Sequence, residues 1–362
     1  MLRLAEKFAH ERGSRARLFV VPAFDRESLS PHRVAPELID LPFGLTWQDL
    51  SRALPGLLRD RIVECVVARR YALQGLRNQA GSTPATVRYP VAGGFETVDL
   101  FIKRTPAAVP EGHWYRLLAE NHVAVPELLA ELPRGNGDVV IVLEFLQLIG
   151  IDFNSAAEVT ELLRLLARLN SIADSEVDTS RSGPRGLPEA PFTARVREAL
   201  DALTHMGQFE HLKIVVPRWL DAYLHTKQAC AQMPKALTHG EMYFQHVGRS
   251  GGGALVLFDL ATLGVRPRFF DLCNIVSALA GSTGIDERSL LGQYLDAIDA
   301  LGVHVPTVDG AYRELRLLRI SSSYQELPWL VREHTNPNIG FEMLAQRVRT
   351  LRHDLSDLGV LA

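Results

Sequence analysis

The chain has 362 residues, 47% hydrophobic and 22% charged, with a formal net charge of −3. That length supports two lobes with sizeable cores. The near-neutral balance gives no general pull toward nucleic acid or an anionic membrane, and no apolar run approaches the roughly 20 residues that span a bilayer.

The N-terminal "MLRLAEKFAHERGSR" mixes charges of both signs and has no apolar centre. It does not read as a signal peptide, so a cytoplasmic location is the default expectation. Residues 1–44 contain one strand-like run, "RLFVVPAF" (17–24), and a Pro-rich connector; they are expected to form an N-terminal extension packed on the N-lobe. "TWQDLSRALPGLL" reads as a short helix capped by Thr46. "RIVECVVARRYAL" (61–73) and "ATVRYPV" (85–91) read as strands flanking the turn-rich "QGLRNQAGSTP". Arg69, Arg70 and Arg77 sit here near an aromatic, too few for a nucleic-acid surface and simplest as a solvated face. "ETVDLFIKR" (96–104) alternates as a third strand, with Val98, Leu100 and Ile102 on one face and Lys103 on the other. "PEGHWYRLLAENH" (110–122) reads as a helix, and "DVVIVLEFL" (138–146) as a buried strand.

Past residue 150 the pattern turns helical. "SAAEVTELLRLLARLNSI" is strongly periodic, with Ser155 as cap and Glu158 three residues on. A polar stretch, 174–191, reads as a mobile loop. Helical patterns follow at 192–206, 217–232, 286–301, 309–322 and 339–358, and the only β signal lies at 237–262. Arg313, Arg316 and Arg319 read as an exposed helix face, while Tyr324 and Trp329 read as core or, at most, pocket lining. The fold class is therefore α+β: a small β-rich N-lobe (45–147) and a larger helical C-lobe (148–362). Cys65, Cys230 and Cys273 are far apart in apolar stretches and read as buried free thiols. With no CxxC or HExxH, a structural zinc site is not expected.

Chemistry-bearing residues stand in a fixed order. Lys103 is one of only five lysines against 34 arginines, which makes its place in an apolar strand informative. Glu111 opens the next helix. "THGEMYFQH" carries His239, Glu241 and His246, "LVLFDL" ends in Asp259 eighteen residues after Glu241, and "FFDLCN" supplies Asp271 twelve further on. This order and spacing, with "LARLN" (166–170) and "VLEFL" (142–146), resembles the aminoglycoside phosphotransferase and choline kinase family, the small-molecule branch of the protein-kinase-like fold, over roughly residues 46–330. Two positions depart from the family pattern H-G-D-x4-N: Glu241 stands for its catalytic Asp and His246 for its metal-binding Asn. Asn170 also replaces a His.

The resemblance implies a bilobal kinase-like fold and a phosphotransferase that uses ATP or GTP with Mg2+. It implies that Lys103 meets the phosphates and is held by Glu111, that Glu144 and Leu146 lie in the hinge segment at the nucleotide, and that Asp259 binds metal. Residue chemistry agrees with these roles. Phosphoryl transfer needs positioning and charge neutralisation more than covalent chemistry, and Glu241 can orient a hydroxyl or accept its proton. Its extra methylene shifts the carboxylate by roughly 1 Å. Magnesium takes oxygen ligands, whereas the imidazole of His246 suits softer ions such as Mn2+; Gln245 offers an amide oxygen one position earlier. His239 and Asp271 read as loop organisers. The 74–84 loop, with Gly75, Gly81 and Ser82, reads either as a phosphate cover through its N–H groups and the Ser82 hydroxyl or as an ordinary hairpin loop.

The expected acceptor is the hydroxyl of a small molecule: a sugar, amino sugar, antibiotic or other natural product. Residues 188–236 hold five acids and six bases, which disfavours a polycationic aminoglycoside and points to a neutral or moderately apolar alcohol. The alternative reading is a catalytically impaired pseudokinase that acts as a binding or scaffold protein. Neither nucleic acid nor membrane is an expected partner, and a monomer or homodimer is expected.

Overall fold

The computed structural model describes residues 41–54, 64–67, 81–91, 94–135, 137–146, 149–173, 189–212, 216–335, 340–357 and 359. The expected strand at 17–24, the arginines 69, 70 and 77, Gly75 and the 174–188 stretch lie outside these residues. Among the described residues no helix is long and apolar enough to cross a membrane.

The small lobe is one antiparallel sheet in the order β1-β2-β3-β5-β4. Its strands are β1 (Glu64–Val67), β2 (Ser82–Val91), β3 (Gly94–Pro106), β4 (Leu128–Pro133) and β5 (Asp138–Glu144). Before it, α1 (Trp47–Ala53) begins with a reciprocal capping box. The Asp49 amide donates to Thr46 Oγ1 at 3.1 Å and the Thr46 amide to Asp49 Oδ2 at 2.9 Å. Leu41, Leu50, Val87, Leu100, Ile102, Val140 and Val142 form the core under this sheet.

β5 is buried on both faces, and its alternation divides its side chains between two cores. Val140 and Val142 enter the small-lobe core, while Ile141 and Leu143 enter the main core, which continues through the large lobe. Lys103 pairs with Ile141 in the β3–β5 register, so it stands on the second face. There α2 (Glu111–Glu120) covers the sheet with Trp114, Tyr115 and Leu118.

The large lobe contains α3 (Ala156–Asn170), α4 (Glu189–His205), α5 (Val216–Gln232), α6 (Phe270–Thr283), α7 (Glu287–Asp299), α8 (Val308–Glu333) and α9 (Gly340–Asp357). Two small ribbons pair β6 (Lys235–Thr238) with β9 (Gly264–Pro267), and β7 (Val247–Arg249) with β8 (Leu255–Leu257). Ser155 caps α3 by accepting from the Glu158 amide, but the Glu158 side chain accepts from the Asp152 amide instead of closing the box. Asn170, at the end of α3, is buried. It donates to the Leu237 carbonyl at 2.7 Å and accepts from the Tyr294 hydroxyl at 2.8 Å, so it fastens β6 to α3 and α7.

Several sequence expectations need correction. β4 is an edge strand broken by an irregularity between Leu128 and Ala130, so its alternation is faint. α6, absent from the sequence reading, buries Leu272, Ile275, Val276 and Leu279 at helical spacing against the main core and exposes Ser277, Gly281 and Ser282. α8 runs to Glu333, past Pro328, since Tyr324, Leu327 and Leu330 carry its buried face onward. Tyr324 is fully buried, its hydroxyl on the Trp219 carbonyl at 2.7 Å, in a second core built by α4, α5, α8 and α9. Arg316 and Arg319 are not solvated. Arg316 pairs with Asp357 at 2.8 Å, and Arg319 with Glu287 at 2.7 Å. Arg313 is exposed as expected. Cys230 is a buried free thiol, pushed up to about 11 by burial.

Candidate active site

The site forms where β3, α2 and the β6–β9 segment meet. Lys103 Nζ lies 2.9 Å from Glu111 Oε1 and 2.7 Å from Asp259 Oδ1. Glu111 is the first residue of α2 and is wholly buried. Burial pushes the Lys103 ammonium down, but Glu111 and Asp259 outweigh it and hold it above its ordinary value. Burial raises the Glu111 carboxyl despite the neighbouring Lys103. Burial also opposes ionisation of Asp259, yet Lys103 overrides it and keeps that carboxyl below its usual range.

Asp259 follows β8 in a left-handed conformation, φ +61°. Such a backbone costs a non-glycine residue on the order of 1 kcal/mol and persists where its surroundings hold it. Here Tyr115 lies close by: burial pushes its titration up, with the Glu111 and Asp259 charges adding to the shift and the Asp259 backbone opposing it. Tyr115 stands four residues after Glu111, so one face of α2 reaches both the lysine and the acid that meet it.

The 239–246 loop is built around Asp271 at the start of α6. Its two oxygens accept the amides of His239 at 2.8 Å and Gly240 at 3.0 Å. His239 Nε2 donates to the Phe258 carbonyl at 2.9 Å, and Thr262 Oγ1 to the His239 carbonyl at 3.0 Å. Gly240 has φ +85°, and a Cβ there would lie 2.5 Å from the Thr262 oxygen and 2.7 Å from Arg266 Nη1. Glycine is thus required for conformation and for space. Arg266 fills that space by donating to the Thr262 carbonyl at 2.7 Å and Thr238 Oγ1 at 3.2 Å.

Glu241 is half-buried. Burial raises its carboxyl above its ordinary value; Asp259 adds to that, while His246, Arg266 and Lys103 pull the other way. Its carboxylate therefore lies within electrostatic range of His246, Asp259, Arg266 and Lys103. His246 is buried, with Nδ1 2.7 Å from the Glu241 carbonyl and Nε2 3.5 Å from Asp259 Oδ2. Gln245 is exposed. Adjacent residues in the one-turn 3-10 helix Phe244–His246 point about 120° apart, so only one can face Asp259, and that one is His246.

The structure thus gathers Lys103, Glu111, Glu241, His246 and Asp259. Ser82 lies beside them, opposite Lys103 in the β2–β3 register. Glu144 ends β5, exposed, and Leu146 lies half-buried on the connection between the lobes. Sequence reasoning missed Tyr115, whose i+4 relation to Glu111 was readable. It also missed Arg266, for which the sequence held no signal. Tyr243 flanks Glu241, its phenol pushed to about 12 by burial with help from Glu241 and Glu326. Glu326 and Arg347 form an ion pair that joins α8 to α9, and both charges are felt at Tyr243.

Among the described residues no three His, Cys, Asp or Glu side chains converge as a self-sufficient metal site. Asp259 and His246 together fit a divalent ion that takes its remaining ligands from phosphates and water.

A lysine of the five-stranded sheet, paired with a glutamate of the helix that covers it and with an aspartate of the helical lobe, is the arrangement of a kinase-like phosphotransferase. The sequence model of the phosphotransferase enzyme family matches residues 99–318, and the chain belongs to that family. No curated protein sequence matches it. Solved structures share the fold. A putative aminoglycoside phosphotransferase from Ralstonia eutropha is 12% identical, covering 84% of this chain and 98% of its own, with a TM-score of 0.53. A mutant of aminoglycoside 2′-phosphotransferase IIIa in complex with GDP is 13% identical, covering 86% and 98%, at 0.51. An ethanolamine kinase from Plasmodium vivax is 12% identical, covering 80% and 81%, at 0.50.

Proposed function

We propose that the chain transfers the γ-phosphoryl group of ATP or GTP to a hydroxyl of a small molecule. The observation that carries this reading is the meeting of Lys103 with Glu111 and Asp259, within electrostatic range of the Glu241 carboxylate.

Lys103 receives the nucleotide phosphates, and Glu111 keeps its ammonium charged and aimed. The Ser82 hydroxyl lies within the same strand pair and is assigned to the phosphates. Glu144 and Leu146 are assigned to the base on the interlobe connection. Glu241 orients the acceptor hydroxyl and takes its proton as the oxygen attacks phosphorus. Its raised carboxyl is the more basic for being buried. Asp259 and His246 are the residues that would hold a divalent cation, Mg2+ or Mn2+, which when bound neutralises charge on the phosphates.

The near-balanced charge of 188–236 favours a neutral sugar or natural-product alcohol over a polycation. The test is turnover of labelled ATP and GTP against a metabolite library with Mg2+ and with Mn2+. Transfer that exceeds a Glu241→Ala, Asp259→Ala double variant supports the reading; none above that variant with any acceptor overturns it.

A further inference from the structure

We propose that the divalent cation of this crevice is a first-row transition ion of the Mn2+ class, ligated directly by His246 Nε2 and Asp259 Oδ2, and preferred over Mg2+. The inference rests on the nucleotide-binding reading above and specifies one part of it.

The argument starts from the His246 ring. Its Nδ1 lies 2.7 Å from the Glu241 carbonyl oxygen. A carbonyl oxygen only accepts, so Nδ1 carries the hydrogen and donates. In the neutral ring, Nε2 is then a lone pair, and it lies 3.5 Å from Asp259 Oδ2. Lys103 compensates the other oxygen, Oδ1. In that neutral form two acceptors face each other across 3.5 Å, and a shared cation satisfies both.

The ring is also held in place. The His246 amide donates to the Tyr243 carbonyl at 2.9 Å, and the His246 carbonyl accepts from the Phe258 amide at 3.1 Å. The His239 ring stacks on it at 5.6 Å, while Tyr243 and Phe258 meet it edge-on. A buried histidine whose second nitrogen donates to a backbone carbonyl has the tautomer, orientation and basicity of a metal ligand. Gln245 is exposed, and the neighbouring His239 ring is fixed by its Nε2, which donates to the Phe258 carbonyl and leaves a buried Nδ1 without a partner.

Ion chemistry then decides the preference. Mg2+ demands near-ideal octahedral oxygen ligands. A mixed set of imidazole, carboxylate and phosphate oxygen suits Mn2+ and its first-row neighbours. Two protein donors are too few for tight binding of the ion alone, so ion and nucleotide bind together.

The test uses the full chain with ADP and Mn2+, read by pulsed electron paramagnetic resonance. The expected result is nitrogen modulation from a directly bound imidazole. That modulation changes to the 15N pattern in protein labelled with 15N-histidine and disappears in His246→Asn. The labelled wild type answers the question even if the variant fails to fold. In competition, about tenfold more Mg2+ than Mn2+ is expected for half-saturation of the ADP complex, with the two ions becoming equal in His246→Asn. If ADP binds with metal but no histidine nitrogen couples, this inference alone is overturned, and a protonated His246 paired with Asp259 accounts for the contact. If ADP raises the unfolding temperature with neither ion, the phosphotransferase reading falls and takes this inference with it.

Discussion

Lys103 Nζ and Asp259 Oδ1 lie 2.7 Å apart across 156 positions of sequence, tying the third strand of the sheet to the segment that follows β8. The same ammonium holds the fully buried Glu111 at 2.9 Å. One lysine therefore sets both the geometry of the crevice and the cost of disturbing it.

Removing that lysine strands Glu111. Lys103→Met is expected to lower stability by about 3 kcal/mol, because an uncompensated buried carboxylate remains. Adding Glu111→Gln is expected to restore part of the loss, with a coupling of at least about 1 kcal/mol in a urea double-mutant cycle. Additive losses would mean that the pair is not coupled.

The acid side of the rate profile reports Glu241. A base must be ionised, and burial holds this carboxyl above its ordinary 4.5. kcat/KM is expected to fall as pH drops through a value higher than that. Glu241→Gln is expected to be slower by about 10²-fold or more and to lack this limb. A limb that survives unchanged in the variant would remove Glu241 from the role.

Gly240→Ala tests the loop beneath Glu241. Its Cβ would meet the Thr262 carbonyl oxygen at 2.5 Å, and its φ of +85° is strained for alanine. Thermal unfolding is expected to show a loss of about 2 kcal/mol, and turnover is expected to fall about 10²-fold as Glu241 shifts. Wild-type behaviour on both counts would show that the loop has room to give.

Stability at low pH reports Glu287, which pairs with Arg319. Burial raises its carboxyl, but Arg319 at 2.7 Å, helped by the Ser277 hydroxyl, holds it below its ordinary 4.5. A depressed carboxyl stabilises the fold above its unfolded value, and the contribution disappears as pH falls through the depressed one. Glu287→Gln is therefore expected to be less stable than wild type by about 2 kcal/mol near neutral pH. The gap should close below pH 4.5 in urea titrations, and a gap independent of pH would assign the effect to packing.

Much of this arrangement was legible in the residues. β3 alternates cleanly because one of its faces is a core and the other a functional surface, and that alternation exposed Lys103. The 239–271 segment is contiguous, so the intervals among Glu241, Asp259 and Asp271 carried its shape. Less was legible elsewhere. α6 has small residues, Ser277, Gly281 and Ser282, on its exposed face, so little polarity contrasts with its buried one; β4 is an irregular edge, and Arg316 and Arg319 read as a solvated face because their acids lie on other helices.

The sequence by itself determined which residue types were available, in what order, and on which face of each element, since these follow from local periodicity and spacing. Only the tertiary structure decided that His246 and not Gln245 turns toward Asp259, that Tyr115 comes to lie near Asp259, and that Arg266 closes the space beneath Gly240. These are distances between segments, set by the packing of two cores against a shared strand, and no local pattern of residues encodes them.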